Sequence, residues 1–168
     1  MKKILALLLF LPFLQSCDDG DVIVTNFNFE DATLQSCGDV GNYVFYKVNP
    51  KVFESLSLKL GTTDSIYNKE EIKTYQLNGS TNFVNYRMYD GPLGSDYFCS
   101  SIPPTSPRAT ADYKGNSGSV VTTVKFVYEN EKLAKKTLQI TLKDLVLING
   151  DEQIIIETLD MGTIEKIL

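Results

Sequence analysis

The sequence predicts an all-β protein, and three observations predict it. Apolar residues recur at every second position in run after run. Turn-forming pairs punctuate the chain at strand-length intervals, and no segment keeps a helical apolar period over about ten residues. The expected architecture is an antiparallel β-sandwich of about seven to nine short strands with little helix, a small β-barrel being the alternative.

The elements follow in chain order. Val22, Val24, Phe27 and Phe29 alternate with Thr25, Asn26 and Asn28, with a change of phase near Asn26. Tyr43 to Val48 is rich in β-branched and aromatic residues. Leu56, Leu58 and Leu60 alternate with Ser57 and Lys59, and Phe83 to Tyr89 sets Tyr, Val and Met among Asn and Arg. Val120, Thr122, Val124, Phe126 and Tyr128 fall on one face of a strand, with Val121, Thr123, Lys125 and Val127 on the other. Asp64 to Tyr75 is the one stretch with room for a turn or short helix.

Breakers separate these runs at Asn49-Pro50, Gly61, Asn78-Gly79, Gly91-Pro92, Pro103-Pro104, Gly115 to Gly118 and Asn149-Gly150. Ser100 to Arg108, with three prolines, reads as a stiff surface loop. Near the C-terminus, Lys136 to Ile148 and Gln153 to Leu159 flank Asn149-Gly150, a preferred type I′ hairpin pair. A turn on those two residues sets Ile140 opposite Leu159 and Leu138 opposite Met161. The apolar phase changes between Leu142 and Leu145, which predicts a β-bulge near Lys143-Asp144. Asn78-Gly79 is expected to link another two strands.

The first residues carry an address. Lys2 and Lys3 precede an apolar run from Ile4 to Leu14, too short for the roughly 20 residues a spanning helix needs. The run ends Leu14-Gln15-Ser16-Cys17: an apolar residue, a tolerant position, a small residue and a cysteine. This resembles the lipobox of bacterial lipoproteins. The resemblance implies cleavage before Cys17, a diacylglycerol thioether on its sulfur and an acyl group on its new amine. Two or three acyl chains, each adding about 0.8 kcal/mol per buried methylene, hold a protein durably on a bilayer.

The chain therefore divides into a signal (1–16), a lipidated cysteine with an acidic tether (17–21) and one all-β domain (22–168). Asp18-Asp19-Gly20-Asp21 is similar to the export tag behind the lipidated cysteine of surface lipoproteins in Bacteroidetes-type bacteria. That resemblance implies an outer-membrane protein displayed at the cell surface, the periplasmic face being the alternative.

Removing residues 1–16 takes two of the 16 basic residues and none of the 21 acids, so the mature chain carries 14 − 21 = −7. An acidic domain without basic clusters argues against nucleic acid as a partner. With Cys17 lipidated, Cys37 and Cys99 remain in an oxidising compartment, and an expected disulfide between them closes a loop of roughly 62 residues. Such a loop is worth on the order of 4 kcal/mol. Two buried free thiols, or a reactive one, are the alternatives.

Chemistry is sparse. The chain has no histidine, which removes Ser-His and Cys-His nucleophile pairs and most zinc shells. No nucleophile elbow or phosphate-binding loop is present. No metal and no cofactor is expected beyond the lipid on Cys17. Asp90-Gly91 and Asp96 are more simply turn formers than calcium ligands.

Nine Tyr and nine Phe stand beside no Trp. Tyr86, Tyr89 and Tyr97 are a candidate stacking surface for a glycan or peptide, set against the plainer reading of half-buried strand positions. Asp64-Ser65-Ile66 resembles the O-glycosylation pattern of the same bacterial group, which makes Ser65 a candidate glycan carrier on an exposed loop. The expected function is a non-catalytic surface or envelope interaction protein with an unidentified protein or glycan partner. A glycan- or peptide-binding module and an inhibitor of an extracellular enzyme are the alternatives.

Overall fold

A computed structural model describes residues 27–167. The signal, Cys17, the acidic tether and the alternation at Val22 and Val24 lie outside the described residues. The strands are β1 (Gln35–Cys37), β2 (Tyr43–Asn49), β3 (Glu54–Leu60), β4 (Glu71–Gln76), β5 (Asn82–Tyr89), β6 (Ala109–Glu129), β7 (Lys132–Asn149) and β8 (Glu152–Ile167). A single helical turn, α1 (Asp96–Cys99), interrupts them between β5 and β6. The antiparallel all-β class and the strand number are as the sequence predicts. The eight strands form one hydrogen-bonded sheet in the order β1-β2-β3-β5-β6-β7-β8, with β4 also on β6. That sheet curls into a half-barrel, on the barrel side of the two packings expected.

Period-two alternation builds the concave face. In register across the sheet, Phe45 pairs with Leu58 and Leu58 with Val84, while Val120 pairs with Leu142 and Leu142 with Leu159. Leu56, Leu58, Leu60, Leu138, Ile140 and Leu142 have no exposure, each side chain contributing roughly 1.5–3 kcal/mol on burial. Phe29, Leu34 and Ile66, which lie outside the strands, join the same core.

The long strand β6 carries two neighbours on one edge. β5 pairs with Ala109 to Lys114, and β4 pairs with Ser119 to Val124. The handover falls at Gly115 to Gly118, where the Gly118 carbonyl accepts the Leu77 N–H at 3.1 Å. Gly118 has φ +125°, and a Cβ there would lie 3.0 Å from the backbone of Lys143, Asp144 and Leu145. Opposite it, the expected bulge is present: Ser117 pairs with Val146 but Ser119 with Lys143, and Asp144 has φ 51°. Leu142 and Leu145 are both buried on its two sides, as the phase change requires.

One expectation is corrected. The C-terminal turn sits one residue later than Asn149-Gly150: Asn149 pairs with Glu152, and only Gly150 (φ 62°) takes positive φ. Glycine in the first central position suits a type II′ turn. Together with a further shift at Met161, this sets Ile140 opposite Gly162 and Leu138 opposite Ile164. Of the turn or short helix expected within Asp64 to Tyr75, the turn is present, the Asn68 N–H donating to the Ser65 carbonyl at 3.2 Å, and β4 begins at Glu71. Asn78-Gly79 links two strands as expected, β4 and β5, each of which pairs with β6. The Asn78 side-chain oxygen accepts the N–H groups of Ser80, Thr81 and Asn82 at 2.9–3.0 Å, which fixes that loop.

Candidate functional site

An open cleft of about 750 Å³ lies at one end of the half-barrel. Three segments form it: residues 28–35 leading into β1, the turn between β2 and β3, and the end of β5. Asn28 ties the first two together, since its carbonyl accepts the Asn49 side-chain amide at 3.2 Å. Val48, Val52 and Met88 give the cleft apolar walls, and Lys51 reaches across the rim to Asp31 at 3.7 Å.

Glu54 and Tyr86 lie at its inner side. Glu54 occupies the same phase of β3 as Leu56, Leu58 and Leu60, so its side chain starts from the concave face. Burial raises its pKa above the ordinary carboxylate range, partly offset by hydrogen bonding to the Tyr86 phenol. Burial, and then the Glu54 charge, push the Tyr86 phenol well above its usual range, which keeps it protonated as a donor. Phe27 packs edge-on against the Tyr86 ring at 5.0 Å.

The polar row continues along the sheet. Tyr86 lies 5.6 Å from Tyr113, ring centroid to centroid, and the Tyr113 hydroxyl donates to Glu152. That hydrogen bond, with burial behind it, raises the Tyr113 pKa. A second charge also stands in an apolar phase: Lys47, in step with Tyr43 and Phe45, is buried at 7% exposure. Burial lowers its pKa, opposed by the charges of Asp160 and Glu30. Among the described residues neither Glu54 nor Lys47 makes an ion pair within 4.0 Å. No group of three acidic or cysteine side chains among them is placed to hold a metal, and no helix among them is long and apolar enough to cross a membrane.

Of the three tyrosines singled out in the sequence, Tyr89 and Tyr97 are brought together and Tyr86 stands apart. Tyr86 is in the core at 1% exposure, on the concave face. Tyr89 projects to the convex side, is 5% exposed, and meets half-buried Tyr97 edge-on at 5.1 Å. The Ser55 hydroxyl donates to the Tyr89 hydroxyl at 3.4 Å. Tyr89 and Tyr97 belong to a small convex cluster in which Phe98 stacks on Tyr46 at 4.2 Å. Tyr86 lines the cleft while Tyr89 and Tyr97 lie on the other face, so the three share no common surface.

The Cys37–Cys99 disulfide is formed, with Cα atoms 5.8 Å apart, and it holds α1 against β1 beside that cluster. Ser65 lies in a loop as expected but is half-buried, which corrects the exposed placement. Its Oγ accepts the Tyr43 hydroxyl at 3.4 Å and the Tyr67 N–H at 3.3 Å. Asp90 accepts the Arg108 N–H at 2.8 Å, closing the neck of the loop that contains α1. Cys17 lies outside the described residues.

Sequence reasoning missed the cleft and both charged residues in apolar phases. The signal for Glu54 and Lys47 was present: each extends an alternating apolar series by one further step. The chain matches no protein-family model, no curated protein and no solved structure.

Proposed function

We propose that this chain is a lipid-anchored, non-catalytic surface protein that acts by binding a partner in the cleft at the end of its half-barrel. The cleft itself carries the reading. It is a concavity of about 750 Å³ in which Val48, Val52 and Met88 stand among polar and charged side chains, a combination that can both bury and orient a ligand. The lipobox-like Leu14-Gln15-Ser16-Cys17 supports the anchor, and the acids behind it support surface display. Ten residue steps from Cys17 to Phe27 reach at most about 35 Å, which keeps the domain close to the bilayer. Lack of histidine supports a role without nucleophilic or proton-shuttle catalysis.

A photo-crosslinking residue at Thr33, which lines the cleft, tests the reading in intact cells. The same substitution at exposed Thr158 on β8 is the control. A discrete adduct from Thr33 and none from Thr158 supports it; equal adducts, or none, oppose it.

A second reading, inhibition of an extracellular enzyme, is favoured by Ile102. This side chain is 83% exposed in a proline-rich loop anchored by Cys99 and closed at Arg108. A loop braced at both ends loses little freedom on docking. Ile102→Asp abolishing inhibition of a susceptible enzyme supports this reading over the cleft.

A further inference from the structure

The charge pattern of the cleft defines what it takes. Three ionised side chains line it: Asp31, Lys51 and Glu54. Lys51 is matched to Asp31 across the rim, at 3.7 Å, with both side chains largely in water. Glu54 is left without a cation, half-buried between Tyr86 and the apolar walls. A carboxylate held there is incompletely solvated, so a cation arriving beside it meets a smaller competing hydration than at the surface. The acidic balance of the whole chain adds attraction in the same direction.

Around that charge the walls are of the wrong kind for a bare ion. Val48, Val52 and Met88 present methyl and thioether surface, which suits an aliphatic stem. Gln35 contributes an amide at the rim, its oxygen already taken by the Tyr46 hydroxyl at 3.0 Å, so that its N–H groups remain to meet a carbonyl. A stem with a cationic head, carried on a backbone that offers carbonyl groups, satisfies all three features.

We infer that the cleft binds a lysine or arginine side chain of a peptide segment, with Glu54 as its counter-charge and Val48, Val52 and Met88 along its stem. This inference rests on the proposal that the cleft is the binding site, and it adds the class of ligand.

The chain offers its own reporter. Of three methionines, Met88 lines the cleft, Met161 is fully buried in the core and Met1 belongs to the expected signal. The full chain as processed by the cell, in detergent with 13C-methyl methionine, is titrated with acetyl-Ala-Lys-Ala-amide. The same is done with the norleucine peptide, which keeps the stem and removes the charge. The lysine peptide is expected to move the Met88 methyl signal and leave Met161 in place. Norleucine in the ligand, or Glu54→Gln in the protein, is expected to weaken binding about tenfold or more, the scale of a charge-assisted contact.

Val52 is 52% exposed at the mouth, so substitutions there spare the core. Val52→Lys weakens and Val52→Glu strengthens the lysine peptide, which keeps the test open should Glu54→Gln fold poorly. Equal affinity for the lysine and norleucine peptides overturns the cationic assignment while leaving the cleft as a site. No Met88 shift with either peptide removes both. A shift with phosphoethanolamine but not with the lysine peptide assigns the cleft to a lipid headgroup and also overturns the inference.

Discussion

Phe98 lies flat on Tyr46, ring centroids 4.2 Å apart and planes 13° from parallel, and the Cys99 sulfur sits 3.8 Å from the Tyr46 hydroxyl. One stacked pair and one covalent bond therefore hold α1 to the convex side of β1 and β2. Everything between Asp90 and Arg108, Ile102 included, is positioned from that point and from the hydrogen bonds at the loop's neck.

Replacing both cysteines, as Cys37→Ala with Cys99→Ala, is expected to lower unfolding stability by about 3–4 kcal/mol, since a separation of 62 residues is released in the unfolded chain. Urea unfolding of the oxidised wild type and the double variant measures it. An unchanged midpoint contradicts the role assigned to the bond.

Gly118 and Asp144 face each other across the β6–β7 bulge, and they respond differently to substitution. Gly118→Ala places a Cβ against three backbone atoms at 3.0 Å in a φ region disfavoured for L-residues, and is expected to cost about 2 kcal/mol or more. Asp144→Gly removes a side chain from a left-handed position and is expected to change stability by less than about 1 kcal/mol. Thermal unfolding of the two variants separates them.

Lys47→Met is expected to leave the fold as stable as wild type or to stabilise it by about 1 kcal/mol at neutral pH, because an unpaired buried ammonium is replaced by a thioether of similar length. The sign with pH follows from the lowered pKa. Folding disfavours the charged form, so the wild-type deficit is full below the folded pKa and disappears as pH rises through the ordinary lysine range. Denaturant midpoints at pH 7 and at high alkalinity, before global unfolding, give the comparison.

For Glu54 the sign is opposite on the pH axis. Its folded pKa is raised, so the ionised carboxylate opposes folding above that pKa, and the penalty vanishes as pH falls below the unfolded value near 4.5. Glu54→Gln is expected to stabilise slightly at pH 7, by less than about 1 kcal/mol given its partial contact with water, and to match wild type at pH 4. A variant less stable than wild type at pH 7 would show that the carboxylate is better satisfied than its surroundings indicate.

Much of the sheet was legible because burial on the concave face imposes a period of two, clearest from Leu56 to Leu60, at Val84 and Tyr86, and from Val120 to Val124, whereas Tyr46, Ser55 and Tyr89 are buried out of phase and Tyr128 is exposed. The Lys143-Asp144 bulge was legible for the same reason, since a change of apolar phase leaves few other solutions. The C-terminal register was not. Asn149-Gly150 and Gly150-Asp151 are both acceptable turns, and packing of the whole β7–β8 pair decides between them. The turn at Asn130-Glu131, where both residues take positive φ, carries no glycine to announce it. Tyr86 and Tyr89 look like neighbours in a list of aromatics, but an odd spacing sends them to opposite faces. The cleft was invisible because residues 28–35, β2–β3 and β5 meet only through the curl of the sheet. Glu54 and Lys47 were legible in principle, as charges in apolar phases.

The proposed anchor turns a β half-barrel into a protein with a place, and metabolic labelling tests it most directly. Cells fed an alkyne-tagged fatty acid should yield a labelled wild-type band that Cys17→Ala lacks. An unlabelled wild-type band beside a labelled lipoprotein control would contradict the anchor and leave a free secreted domain.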